Sequence, residues 1–268
     1  IRALDSTILG MGPGDFILVA SRPGMGKTSI GLNIALSAAK STGRTVAVFS
    51  LEMTREQLVM RLLAGEGLVD SKKLQTGRLS NDEWQRVGAA AGVLSGTDIR
   101  IDDNPSLTVS EMNAQCRRLK NLGLIVIDYL QLMQSAGSGN SWANESRTQA
   151  VSDISRMIKI MAKELGVPVL CLSQLSRANE SRQNKRPMLS DLRESGAIEQ
   201  DADVVMGIYR EGYYNAECEN PNEAELIIIQ HRRGQTGTIN LTLLPKYTSC
   251  VAVDGRADHT RGTRAPTA

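Results

Sequence analysis

Short runs rich in β-branched residues, most of them almost continuously apolar, alternate along the chain with longer segments in which apolar residues recur at helical spacing. The runs are Phe16 to Ala20, Thr45 to Leu51, Ile99 to Asp102, Leu124 to Leu130 and Pro168 to Ser173. Runs of this kind, rich in β-branched residues, are the pattern of strands buried on both faces. With helical segments between them, they predict an α/β fold with a mostly parallel central sheet flanked by helices. Two helix starts carry capping boxes, Ser80 with Glu83 and Thr108 with Glu111, in which hydroxyl and carboxylate each accept a free N–H of the first turn. A long helix is predicted over Arg147 to Leu165, stopped by Gly166 and Pro168.

After Gln174 the pattern changes. Leu175 to Asp191 is polar and basic, with Arg177, Arg182, Lys185 and Arg186 and no clear core face, and is expected to be a long functional loop. Val204 to Tyr209, Ala224 to Arg232, Thr238 to Leu244 and Cys250 to Val253 follow without helical segments, which predicts antiparallel pairing at one side of the sheet. A hairpin is expected at Gly234 to Gly237. Ser135 to Ser146, with Gly137 and Gly139, is expected to be a mobile loop. Gly255 to Ala268 is small, polar and basic, the composition of a disordered tail. The expectation is one domain over 1–254 followed by that tail. A first residue of Ile1 suggests a piece of something longer.

Composition narrows the functions. At 268 residues the chain can bury a full sheet. Its net charge of +2, from 31 Lys and Arg against 29 Asp and Glu, leaves any basic surface to be local. Aromatic residues are 3% of the chain, too few to supply many stacking platforms for bases, so single-stranded nucleic acid would be held chiefly through its phosphates. The four cysteines, Cys116, Cys171, Cys218 and Cys250, have no paired spacing, and the two histidines, His231 and His259, lie near the end. That disfavours a structural zinc site and a Ser-His-Asp hydrolase. Scattered thiols without a secretory segment or a membrane-length apolar run lead to the expectation of a reducing cytoplasm and no membrane partner.

The chemistry starts at Ser21-Arg22-Pro23-Gly24-Met25-Gly26-Lys27-Thr28, directly after the first strand and before a helical segment beginning at Ser29. A strand running into a glycine-containing turn and then a helix points successive N–H groups, and the positive end of the helix dipole, into one concavity. Lys27 suits the β- and γ-phosphates of a nucleotide such as ATP, and the Thr28 hydroxyl suits a Mg2+ bridging them. The common pattern opens on Gly where this chain has Ser21; Gly24 and Gly26 remain to supply unusual dihedrals.

In an open parallel sheet ligands bind outside the carboxyl ends of the strands. Asp128 closes the run Leu124 to Ile127, where a buried carboxylate is costly unless a metal or its water shell compensates. Glu52 follows Val46 to Leu51 and is placed to activate the water that attacks a γ-phosphate. Gln174 follows Val169 to Ser173 and is placed to sense that phosphate and signal to the loop beyond.

These segments, together with Ser50-Leu51-Glu52-Met53, Ile125 to Leu132, Leu172 to Arg177 and Asp191-Leu192-Arg193-Glu194-Ser195-Gly196, resemble the DnaB family of replicative DNA helicases over roughly Leu4 to Val253. The match is to the family's RecA-like ATPase domain and does not include its N-terminal collar. The resemblance implies a homo-hexameric ring with nucleotide sites between subunits, Mg-ATP, 5′-to-3′ movement on single-stranded DNA, and primase and helicase-loader partners. It implies that Lys27 and Thr28 bind phosphate and metal, that Glu52 is the catalytic base, Asp128 the Walker B carboxylate and Gln174 the γ-phosphate sensor. Arg232 resembles an arginine finger reaching into the neighbouring subunit's site. The family usually has Lys two residues earlier, where this chain has Gln230. Arg193, Glu194 and Gly196 match the family's DNA-contacting loop, in which Gly196 would let a backbone N–H approach a phosphate. Contacts of this kind predict weak base preference and a salt slope of about −0.7 per phosphate neutralised. Two other readings of the same core are an ATP-gated single-stranded-DNA filament or recombinase, separable by displacement of a forked duplex, and a nucleotide kinase with Leu175 to Arg186 as lid, separable by DNA-stimulated ATPase.

Overall fold

The central parallel strands alternate their side chains between two separate apolar layers, and this fixes the architecture. The computed structural model describes residues 2–128, 130, 145–192, 196–215 and 217–252. Its strands are β1 (Phe16–Ser21), β2 (Thr45–Ser50), β3 (Ile99–Asp102), β4 (Leu122–Asp128), β5 (Val169–Gln174), β6 (Val204–Tyr209), β7 (Glu223–His231), β8 (Gly237–Leu244) and β9 (Ser249–Ala252). Its helices are α1 (Arg2–Ile8), α2 (Lys27–Thr42), α3 (Arg55–Gly67), α4 (Ser71–Thr76), α5 (Asn81–Ser95), α6 (Val109–Cys116), α7 (Glu145–Leu165), α8 (Gly196–Asp201) and α9 (Glu211–Tyr214).

The nine strands form one sheet in the order β3-β2-β4-β5-β1-β6-β7-β8-β9. Ile17, Val19, Val48, Val126 and Leu172 pack with Ile30 and Ile34 of α2 and Leu58 of α3 on one face. Phe16, Leu18, Phe49, Ile127 and Val169 pack with Met112 of α6 and Ile154 and Ile158 of α7 on the other. Because successive strand residues face opposite ways, burial on both faces explains why these strands read as unbroken apolar runs. The capping boxes at Ser80 and Thr108 are both formed, and a third, Thr54 with Gln57, opens α3.

The expected antiparallel pairing is present, β6 with β7, β7 with β8 and β8 with β9, and β6 joins it to the parallel strands by pairing parallel with β1. Two expectations change. α9 lies between β6 and β7, in a segment expected to hold no helix. The stretch after Gln174 is a compact excursion with buried anchors: it has two 3-10 turns, Arg177–Ser181 and Leu189–Asp191, and Leu175, Asn179, Asp191 and Leu192 are all buried. Its basic surface hid these anchors, which have no helical or strand periodicity to reveal them. The expected hairpin is present, with Ile228 paired to Gly237. The loop expected over Ser135 to Ser146 falls almost wholly outside the described residues, as does the tail from Gly255. Among the described residues no helix is long and apolar enough to cross a membrane.

One buried ion pair registers the start of β1. The Asp203 carboxylate accepts the Phe16 N–H at 2.7 Å and the Lys159 ammonium, which also donates to Gly14 O at 2.9 Å. The Phe16 carbonyl in turn accepts the Asp203 N–H at 2.8 Å. Both side chains of the pair are largely out of water, and removing one partner of such a pair leaves the other uncompensated. Asp203→Ala is therefore expected to lower unfolding free energy by about 3–5 kcal/mol, measured as a shifted urea midpoint at unchanged slope.

Candidate nucleotide site

At the carboxyl edge of the sheet β1 runs straight into α2. Gly24 and Gly26 have φ of +79° and +92°, left-handed values that a side chain resists, and Gly26 is the N-cap of α2. Ser21, by contrast, is an ordinary strand residue, buried and paired in register with Gln174. The glycine usual at that position is not required by the backbone here. Met25 is buried at the turn of the loop, leaving N–H groups and the first turn of α2 facing a cavity of about 350 Å³.

Asp128 ends β4, two strands from β1, beside Ser50 at the end of β2. Asp128 is 3% exposed. Oδ2 accepts the Thr28 hydroxyl at 2.7 Å, and Oδ1 lies 3.5 Å from Lys27 Nζ while accepting no hydrogen bond. Burial pulls the Lys27 ammonium below the usual lysine range, against the opposing pull of Asp128 and Glu52. A hydroxyl and an under-satisfied carboxylate oxygen side by side at a phosphate loop fit a Mg2+ that draws its other ligands from phosphate and water. Among the described residues there is no group of three or more His, Cys, Asp or Glu that could hold a metal ion through protein ligands alone.

Glu52 stands on a tight turn closed by Ser50, whose hydroxyl donates to Met53 O at 2.7 Å and accepts the Met53 N–H at 3.2 Å. It lines the cavity with Gln174, Ser29 and the loop residues Ser21, Arg22, Pro23 and Gly24. Two cations absent from the sequence reading line it as well, Arg61 of α3 and Arg210 after β6. Burial lowers the Arg61 guanidinium from its usual range, with Asp128 and Glu52 opposing. Arg61 sits on a helix face whose apolar periodicity is ordinary, and Arg210 follows a strand; only the packing of α3 and β6 around the loop reveals them. Leu243, Pro245 and Thr248 from β8 and the turn after it also line the cavity, with Leu243 close against Gly26 of the phosphate loop.

Arg232 does not join this cluster. His231 pairs with Val204, at the start of β6, so Arg232 emerges at the amino edge of the parallel strands, the end opposite the phosphate loop. Its guanidinium is 3.8 Å from Asp203 Oδ1 and 42% exposed. Gln230 donates to Glu199 O at 3.1 Å, and Arg233, far more exposed, lies 3.7 Å from Asp15. Arg193 and Glu194 lie outside the described residues, and Gly196 is the first residue of α8.

The family model of the DnaB-like helicase C terminal domain matches residues 1–251. The replicative DNA helicase DnaB of Geobacillus stearothermophilus is 51% identical over 258 residues, 95% of this chain and 56% of that protein. The replicative DNA helicase DnaC of Bacillus subtilis is 51% identical with the same coverage. This chain thus spans a little over half the length of these relatives. Among solved structures, a DnaB-like replicative helicase, from a structure describing its interactions with primase, superposes with a TM-score of 0.88 at 38% identity, covering 94% of this chain and 60% of that one. A separately solved ATPase domain gives the same score and identity with 89% of that chain covered. With the family model spanning nearly the whole chain and half of its residues shared with these helicases, the chain belongs to the DnaB-like helicase C-terminal domain family.

Proposed function

We propose that residues 1–254 are the ATPase motor of a replicative DNA helicase, hydrolysing Mg-ATP to move along single-stranded DNA as a homo-hexameric ring and displace the other strand. The observation that carries this reading is the junction of Thr28, Lys27 and Asp128 with Glu52 and Gln174 around one cavity, on a chain of this family.

In this mechanism the loop N–H groups and the α2 terminus cradle the phosphates, and Lys27 lies along the β–γ bridge. Thr28 and Asp128 would hold Mg2+, which would supply positive charge to stabilise the phosphate oxygens. Glu52 orients the attacking water and accepts its proton. Arg61 adds positive charge near the γ-phosphate from within the same subunit, and Gln174 reports that phosphate to the excursion after β5. Leu243 and Pro245 offer an apolar wall for the nucleoside, with Arg210 beside it.

Arg232, at the far edge of its own protomer, acts in trans: its exposure and distance from the home cavity suit a residue delivered to a neighbouring subunit. Loss of its weak 3.8 Å ion pair with Asp203 costs little at such exposure. DNA is held by phosphate contacts from the Arg193 side chain and from backbone N–H groups at Glu194 and Gly196, and primase and a helicase loader are partners of the complete protein in the cytoplasm. Since duplex opening takes about 1.4 kcal/mol per stacked step, each advance needs coupled hydrolysis.

Single-stranded DNA should stimulate ATP turnover in the wild type. Glu52→Gln should lower kcat by about 10²- to 10⁴-fold with nucleotide affinity retained, and Arg232→Ala by about 10³- to 10⁵-fold. Mixing the two variants should restore activity, because some sites then combine an intact base with an intact finger; a mixture no more active than its components would eliminate the shared site. Arg61→Gln should depress kcat more than nucleotide affinity in the same steady-state assay, whereas an unchanged kcat would remove it from the mechanism. Chelation of divalent cations, or Thr28→Ala, should abolish turnover while leaving secondary structure by circular dichroism intact.

A further inference from the structure

The second residue of the phosphate loop is tied to the segment beyond the sensor strand. Arg22 is 7% exposed; its Nε donates to Glu180 Oε1 at 2.8 Å and one terminal nitrogen donates to the Leu175 carbonyl at 2.8 Å. The Leu175 N–H in turn donates to the Ser21 carbonyl at 3.0 Å. Leu175 is therefore grasped by the loop through both of its backbone polar groups.

What Leu175 holds is the other end of the excursion. It forms an antiparallel bridge with Leu192, and Ser176 N–H donates to Asp191 O at 2.9 Å. Inside the excursion the buried Asp191 carboxylate accepts the Met188 N–H at 2.8 Å and the Arg182 guanidinium, while Asn179 is pinned by its amide donating to the Tyr214 hydroxyl at 3.2 Å. The excursion is thus a closed, internally braced unit whose entrance and exit lie side by side. The chain leaves Leu192 directly for residues 193–196, the contacts with DNA in the reading above. A displacement of the phosphate loop has to be followed by Leu175 and, through the bridge, by Leu192, because packed elements shift as units.

We propose that Arg22 and Glu180 are positioning residues that couple the nucleotide site to DNA, so that DNA binding accelerates hydrolysis and nucleotide binding alters DNA affinity through this clasp. The proposal rests on the helicase reading for the identity of the second ligand, and it is distinct from phosphate sensing by Gln174. Charge-assisted Arg–carboxylate hydrogen bonds are short and directional, which suits a link that must transmit small movements. Glu180 is the better point of attack, since its side chain is 38% exposed and lies outside the nucleotide cavity.

The test measures ATP turnover with and without poly(dT), nucleotide affinity, and DNA affinity with and without a non-hydrolysable ATP analogue, on the full chain. Glu180→Ala should leave the DNA-free rate and nucleotide affinity within about twofold of wild type while stimulation by DNA falls by roughly threefold to thirtyfold. By reciprocity the effect of the analogue on DNA affinity should shrink as well. Arg22→Lys combined with Glu180→Ala should lose no more stimulation than the more impaired single variant, and Glu180→Gln, which keeps the shape and an oxygen acceptor, should show the same selective loss to a smaller degree. Undiminished stimulation in Glu180→Ala, equal loss of basal and stimulated rates, or additive losses in the double variant would overturn the coupling role. A wild type indifferent to DNA would instead bring down the helicase reading, and this inference with it.

Discussion

A carboxylate withdrawn from water has to be answered by nearby positive charge and hydroxyl donors, and Asp128 is that carboxylate. Its burial at the end of β4 draws Thr28 and Lys27 from the first turn of α2 across the intervening strand β5. The arrangement is internally costly: Lys27 is itself desolvated, and one carboxylate oxygen accepts no hydrogen bond. A fully satisfied pair would be a structural element. This one keeps unused capacity where a phosphate and its metal ion would complete it.

The parallel sheet creates two chemically different edges. At the carboxyl edge the ends of β1, β2, β4 and β5 supply the phosphate loop, Glu52, Asp128 and Gln174. At the amino edge Asp203 gathers the start of β1, Lys159 and the approach of Arg232. The antiparallel return of β7 delivers Arg232 to the second edge, away from its own protomer's cavity, so the finger role proposed for it would have to be served to a neighbouring subunit. On the proposed reading assembly would be a catalytic requirement that follows from strand direction, which the mixing experiment is designed to read.

The proposed coupling to DNA runs through the excursion after β5. Its surface is basic and polar, yet it is anchored by buried Leu175, Asn179, Asp191 and Leu192. Such a segment keeps its own shape while its attachment points move, which is the mechanical property a relay needs. Arg22, sitting inside the phosphate loop, connects the excursion to that loop by hydrogen bonds of ordinary length in place of a long chain of contacts.

Local order along the chain was sufficient to reveal the parallel strands, the phosphate loop, the carboxylates at successive strand ends and two capping boxes, because period-two burial, glycine dihedrals and helix caps are written over a few neighbouring residues. The role proposed for Arg232 required likeness to a family, since an arginine near a turn has many uses, whereas that proposed for Glu52 already followed from its place at a strand end beside the phosphate loop. Only the tertiary structure decided that β6 runs parallel, that Arg61 and Arg210 face the cavity, that Asp191 is buried, and that Arg22 holds Leu175. Each depends on which distant segments become neighbours: Arg22 and Glu180 are separated by 158 positions, and no local pattern of charge or hydrophobicity encodes a pairing across that span.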